Sequence, residues 1–222
     1  RWMTIAAGGN VEQDYGTTLT LDLHVSVDAE GYNVTLANSG NNVATVKNMK
    51  ALDFSFTDTG SVALGLNTVT GNFTITAGSA VSNNGALDIG GITTITASGQ
   101  TVELNEATNN FVGEVRITGA AVTIVDEDTL VLGASTVSST YSVTATNGNI
   151  TDAAGALTVT GTTTLVTSAN NATITLDQGG HAFTGALLIT TNDNDAAPND
   201  TNGDVTISAG STVALDFGAS TI

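Results

Sequence analysis

The residues whose spacing most resembles chemistry lie near the end of the chain. Asp200, Asn202 and Asp204 alternate, Gly203 permits a tight bend between them, and Asp193 and Asp195 stand just upstream. Alternate oxygen ligands on one side of a turn suit calcium, which takes about six to eight oxygens. These five residues are the candidate metal ligands. The pattern departs from an EF-hand loop, because the glycine is misplaced and no terminal glutamate follows. A second grouping sets Arg116 near Glu114, Asp126, Glu127 and Asp128. Two carboxylates can in principle do acid–base work on a sugar, but a solvated turn is the plainer reading. His24 sits in an alternating run between Asp22 and Ser26 and is expected to face outward. His181 falls in a turn where an internal copy of the sequence has Asn109. No histidine pair stands at ligand spacing, and with no Cys thiolate zinc sites, iron–sulfur clusters and thiol catalysis are excluded. No residue is assigned a catalytic role.

The elements that must position these groups are repeats. Val34-Thr35-Leu36 returns as Val102-Glu103-Leu104 and again as Ile174-Thr175-Leu176. Phe54-Ser55-Phe56-Thr57-Asp58 returns as Val122-Thr123-Ile124-Val125-Asp126, and Asn110-Phe111-Val112-Gly113 as Ala182-Phe183-Thr184-Gly185. Positions that align as apolar belong to short strands of alternating pattern, and gaps fall in Gly, Asn, Asp and Ser turns. No segment shows the apolar spacing of a helix. A period of this size marks a repeat architecture. The divisions read from the alignment are 1–33 as the end of a repeat, 34–101 and 102–173 as repeats, and 174–222 as a partial repeat with an acidic insertion at 191–204. Tandem sandwiches fit poorly, since they need about 100 residues each and a buried Trp. The pattern predicts an all-β solenoid of stacked rungs, roughly four rungs of about 17–20 residues per copy. Inward Val, Ile, Leu and Phe then stack between rungs, Phe111 and Phe183 among them. Gly113 and Gly185 become turn or close-approach positions, and Thr and Asn form outward ladders.

Composition agrees. Hydrophobic residues make up 41% of 222, enough for a packed interior, while aromatics are only 5%. The formal charge is −17 with only four Lys and Arg. That leaves no basic footprint for nucleic acid or anionic membrane, and no apolar run reaches membrane-spanning length.

Strings such as Gly85-Ala86-Leu87, Gly155-Ala156-Leu157-Thr158-Val159 and Asn110-Phe111-Val112-Gly113 resemble the β-strand repeats of filamentous-haemagglutinin-like exoproteins, which are large bacterial adhesins and surface fibres. The resemblance covers the whole chain. It implies a right-handed parallel β-helix, export to the bacterial cell surface or medium, and a structural or adhesive role. The secretion domain of that family is not matched. Read by repeat phase, the end of the chain runs nearly into its own beginning, and neither end reads as a cap. An uncapped solenoid edge invites another chain. The expectation is head-to-tail stacking on a second copy, or on adjoining segments of a parent chain, with Trp2, Met3, Phe217 and Ile222 at the interface. Two alternatives stand beside it: a carbohydrate-active β-helix enzyme using Arg116 and nearby carboxylates, and a calcium-stiffened module that binds cell-surface glycans through the 191–204 insertion.

Overall fold

A computed structural model describes residues 1–192 and 203–210. Every regular element among them is a β-strand, and every strand pairing is parallel. Each turn of chain contributes three short strands. Val81–Asn83, Leu87–Ile89 and Thr93–Thr96 make one such turn. They pair respectively with Val102–Leu104, Asn110–Phe111 and Val115–Gly119 of the next. The molecule is a parallel β-solenoid of about 9 turns. At a strand spacing of ~4.8 Å the described solenoid is about 43 Å long.

Two corners divide the hydrogen bonding. Val25–Asp28 faces both Thr45–Val46 and Met49–Ala51, with Asn48 between them at φ 52°, a left-handed turn that Asn tolerates. Val115–Gly119 likewise faces both Leu130–Leu132 and Ser135–Val137. Branching there joins the three faces into a 14-stranded and a 12-stranded sheet, with a 2-stranded remnant of Thr20–Leu21 and Asn42–Val43.

Period-2 alternation explains what is inside. Phe54–Asp58 alternates buried and half-buried, as does Val122–Asp126. The core is one column of Val, Ile, Leu and Phe along the axis. Phe54 packs on Phe73 of the next turn with ring centroids 5.5 Å apart, and on Phe56 at 6.3 Å. Phe111 and Phe183 are both 1% exposed, as interior fillers should be. A Cβ at Gly113 would overlap the Gly91 carbonyl, and one at Gly185 would overlap Gly161, so both are close-approach positions. On the outside, Thr57, Thr76, Thr96 and Thr118 share one register column. Their separations of 19, 20 and 22 residues differ because the turns differ in length, so irregular sequence spacing still builds a regular ladder.

The expected four rungs per copy do not hold. Ten strands lie between Phe54 and Gly119. The ten from Val122 to Asn192 repeat them, with Ile174–Phe183 serving as two. At three strands per turn, one repeat is three and one-third turns, so each repeat starts one face further round. Phe54–Asp58 accordingly lies in the 12-stranded sheet and its equivalent Val122–Asp126 in the 14-stranded one. Equivalent residues therefore sit at different corners and do not stack on one another.

Candidate functional site

The corners are where polar side chains enter the core, and they recur with the repeat. Asn109 is fully buried. Its Oδ1 accepts the Leu87 N–H at 3.0 Å and the Asn83 amide at 2.7 Å. Its Nδ2 donates to the Leu104 and Val125 carbonyls, both at 3.2 Å. Asn41, one repeat earlier, makes the same set with Leu19, Gln13, Leu36 and Thr57. A chain that bends inward must satisfy backbone groups turned away from their strand partners, and a buried carboxamide does so with two acceptor and two donor positions.

The third repeat fills this place with His181. Its Nδ1 accepts the Leu157 N–H at 3.0 Å, and Leu157 is the counterpart of Leu19 and Leu87. The ring proton is thereby placed on Nε2, which lies 2.8 Å from Asp152 Oδ2. Both side chains are shut off from solvent, at 0% and 1% exposure. Asp152 also accepts the N–H groups of Asp177 and Gln178, each at 3.1 Å. The pair has the composition of two members of a hydrolytic triad without the geometry of one, since Nδ1 is occupied by a backbone N–H and faces no nucleophile. Sequence reasoning placed His181 opposite Asn109 and missed its burial and its partner.

Carboxylates recur in the same way. Asp58 accepts the Val43 and Gly60 N–H groups, both at 2.7 Å. Asp126 accepts the Phe111 N–H at 2.8 Å through Oδ1, while its Oδ2 is buried with no hydrogen-bond partner. Burial pushes Asp126 up to about 6; the Phe111 and Asp128 N–H groups oppose the shift, and the Asp128 and Glu127 charges add to it. Asp58 is raised for the same first reason. The expected solvated turn thus fails for Asp126, which is 0% exposed, and holds for Glu127 and Asp128, which are exposed. Glu114 and Arg116 form an ion pair. Their Oε2 and Nε atoms are buried without further partners. The structure therefore brings Arg116 together with Glu114.

An open-sided ladder marks another corner. Asn10, Asn33, Asp53 and Asn72 each accept, through Oδ1, the N–H of the equivalent residue one turn on, at 2.7–3.3 Å. The Asn ladders expected from the turn composition are present here.

The first turn carries the remaining candidate residues. Trp2 is 62% exposed and stacks on His24 with centroids 6.1 Å apart and planes 10° from parallel. Met3 opens the strand Met3–Ala6 and is half-buried against the core. His24, expected to face outward, is half-buried under Trp2, and Ser26 is buried. Desolvation and then Lys47 hold the His24 imidazole below its ordinary range.

Of the proposed calcium ligands, Asp193, Asp195, Asp200 and Asn202 lie outside the described residues, as do Phe217 and Ile222. Asp204 is exposed, and its backbone carbonyl accepts the Ile174 N–H at 3.0 Å. Among the described residues no group of three His, Asp or Glu side chains is arranged to hold a metal ion, and no helix is long and apolar enough to cross a membrane.

Comparison with curated proteins and with solved structures returns no match. One family model matches three consecutive segments, residues 3–50, 51–118 and 119–190, which together span most of the chain. The second segment holds all but the last residue of the ten-strand unit from Phe54 to Gly119. The chain belongs to the family described as repeats of unknown function (DUF5649).

Proposed function

We propose that this chain is a stiff structural and adhesive segment of an extracellular β-solenoid filament, joined end to end through open strand edges. The joining partner is a second copy or adjoining turns of the same parent chain. The observation that carries the reading is the first turn. Among the described residues, Met3–Ala6 pairs only with Val25–Asp28, Val11–Glu12 only with Val34–Leu36, and Thr20–Leu21 only with Asn42–Val43. All three strands therefore offer a second row of N–H and C=O groups on the same side. A parallel strand edge of this kind is a template for further pairing, and the surface Trp2–His24 stack lies beside it. The interior supports stiffness, because successive turns pair in register and share one continuous core. A parent chain with one more repeat would be about 16 Å longer, at three and one-third turns of ~4.8 Å.

Sedimentation velocity across a concentration series, with electron micrographs of the same samples, tests this. The reading predicts oligomers that grow with concentration and appear as thin unbranched rods. Trp2→Asp is predicted to return the chain to monomers without changing its melting temperature, since Trp2 is mostly exposed. Monodisperse native monomers at every concentration, in a chain whose particles do not lengthen when repeats are added, would sink the reading.

A further inference from the structure

The Asp152–His181 corner differs from its two equivalents in one chemical respect. Gln13–Asn41 and Asn83–Asn109 are pairs of neutral amides, joined by hydrogen bonds of 2.7 Å. Asp152–His181 occupies the same place with two groups that can change charge. This corner also holds more. The run Asp177–Gly180 is exposed, departs from regular pairing between Leu176 and His181, and contains Gly180 at φ 97°. Its attachments on the Asp152 side are the Asp177 and Gln178 N–H bonds to that carboxylate. His181, at the end of the run, is anchored by the same carboxylate and by Leu157.

We propose that Asp152 and His181 form an acid-sensitive latch that holds the Asp177–Gly180 loop against the solenoid. Either proton that acid adds disrupts it. A proton on His181 Nδ1 faces the Leu157 N–H, so that two donors meet where one hydrogen bond stood. A proton on Asp152 turns an acceptor of three N–H groups into a group with a donor of its own. Buried polar groups left without partners are costly, and release of the loop into water relieves both cases. The strands packed against the pair, Leu130–Leu132, Leu157–Val159 and Val205–Ala209, carry no ionisable side chain. On the pair's own strands the remaining ionisable group is the exposed Asp177. Among the described residues the latch is therefore set by its two members. The amide pairs of the other repeats carry no proton that acid can add to, and they stay joined. Acid would thus loosen one corner of the third repeat and leave the rod intact.

Hydrogen exchange read by mass spectrometry on the full chain tests this at about pH 7.5 and about pH 4.5. After correction for intrinsic rates, peptides covering 174–183 are expected to lose roughly tenfold in protection at the lower pH, the scale of one lost hydrogen bond to a charged group. Peptides covering 83–87, where the Leu87 N–H is held by the Asn109 amide, are expected to keep theirs. Asp152→Asn with His181→Asn restores the amide pair of the other repeats and should remove the difference. Should that variant lose its far-ultraviolet strand signal, His181→Asn alone supplies the comparison at about pH 7.5 and 5.5. Unchanged protection of 174–183 in the native chain overturns the proposal, and so does an equal loss in the amide variant that folds.

Discussion

Asp126 offers the sharpest quantitative handle on how the corners are built. Its side chain is 0% exposed, Oδ1 accepts the Phe111 N–H at 2.8 Å, and Oδ2 is buried without a hydrogen-bond partner among the described residues. Burial raises it from 3.8 to about 6. The folded chain therefore holds its proton through a range of pH where the unfolded chain has released it. Where the folded state binds more protons, stability falls as pH rises. The loss begins near pH 4, is complete a little above pH 6, and persists at higher pH. About two pKa units at ~1.4 kcal/mol each give about 3 kcal/mol. Asp126→Asn keeps an oxygen for the Phe111 N–H and has no charge to bury. The variant should match the native chain near pH 4 and exceed it by up to about 3 kcal/mol at pH 8. Urea unfolding of both proteins at pH 4 to 8 reads the difference directly, and the subtraction removes contributions from other carboxylates such as Asp58. A variant less stable than the native chain at pH 8, or a difference independent of pH, would refute the assignment of Asp126 as a buried and under-satisfied acid.

Further outcomes follow from the same packing. Asn109→Ala removes four hydrogen bonds at a closed corner, among them the one that holds the Leu87 N–H; it should cost roughly 3 kcal/mol or more in chemical denaturation. Gly113→Ala drives a methyl into the Gly91 carbonyl and should lower the melting temperature by several degrees, whereas Gly8→Ala, with nothing within 4 Å, should not. Phe54→Ala opens a cavity between Phe56 and Phe73 and should cost about 3–5 kcal/mol.

Much of the architecture is legible in the residues themselves. Alternation tells inside from outside for strands such as Phe54–Asp58, and the recurrence of Phe111 and Gly113 as Phe183 and Gly185 identifies core and close-approach positions. The number of strands per turn is not legible. Period-2 patterning fixes which side chains face inward but carries no information on which Gly- or Asn-rich turn bends the chain to a new face. A ten-strand repeat wound three strands to the turn has the same alternation as one wound in whole turns. The Asp152–His181 corner was half visible. His181 aligns with Asn41 and Asn109, a polar position flanked by apolar strands, and that alone signals a buried satisfier of backbone groups. Its partner lies 29 residues away on the previous turn, and it could be paired only once the turn length was known. The acids around Arg116 misled for the same reason, since proximity in sequence put Asp126 with Glu127 and Asp128, while the sheet puts it beneath Phe111.

The most direct test of this account is a pair of spin-label measurements, made simple by a chain with no Cys. Thr76 and Thr96 are register partners on adjacent turns, whereas Thr76 and Thr144 are equivalent residues of successive repeats placed in different sheets. Labels on Thr76→Cys with Thr96→Cys should show strong dipolar broadening at a strand spacing of ~4.8 Å between backbones, and labels on Thr76→Cys with Thr144→Cys should show none. Loss of broadening in the first pair, or equal broadening in the second, would contradict a solenoid wound three strands to the turn.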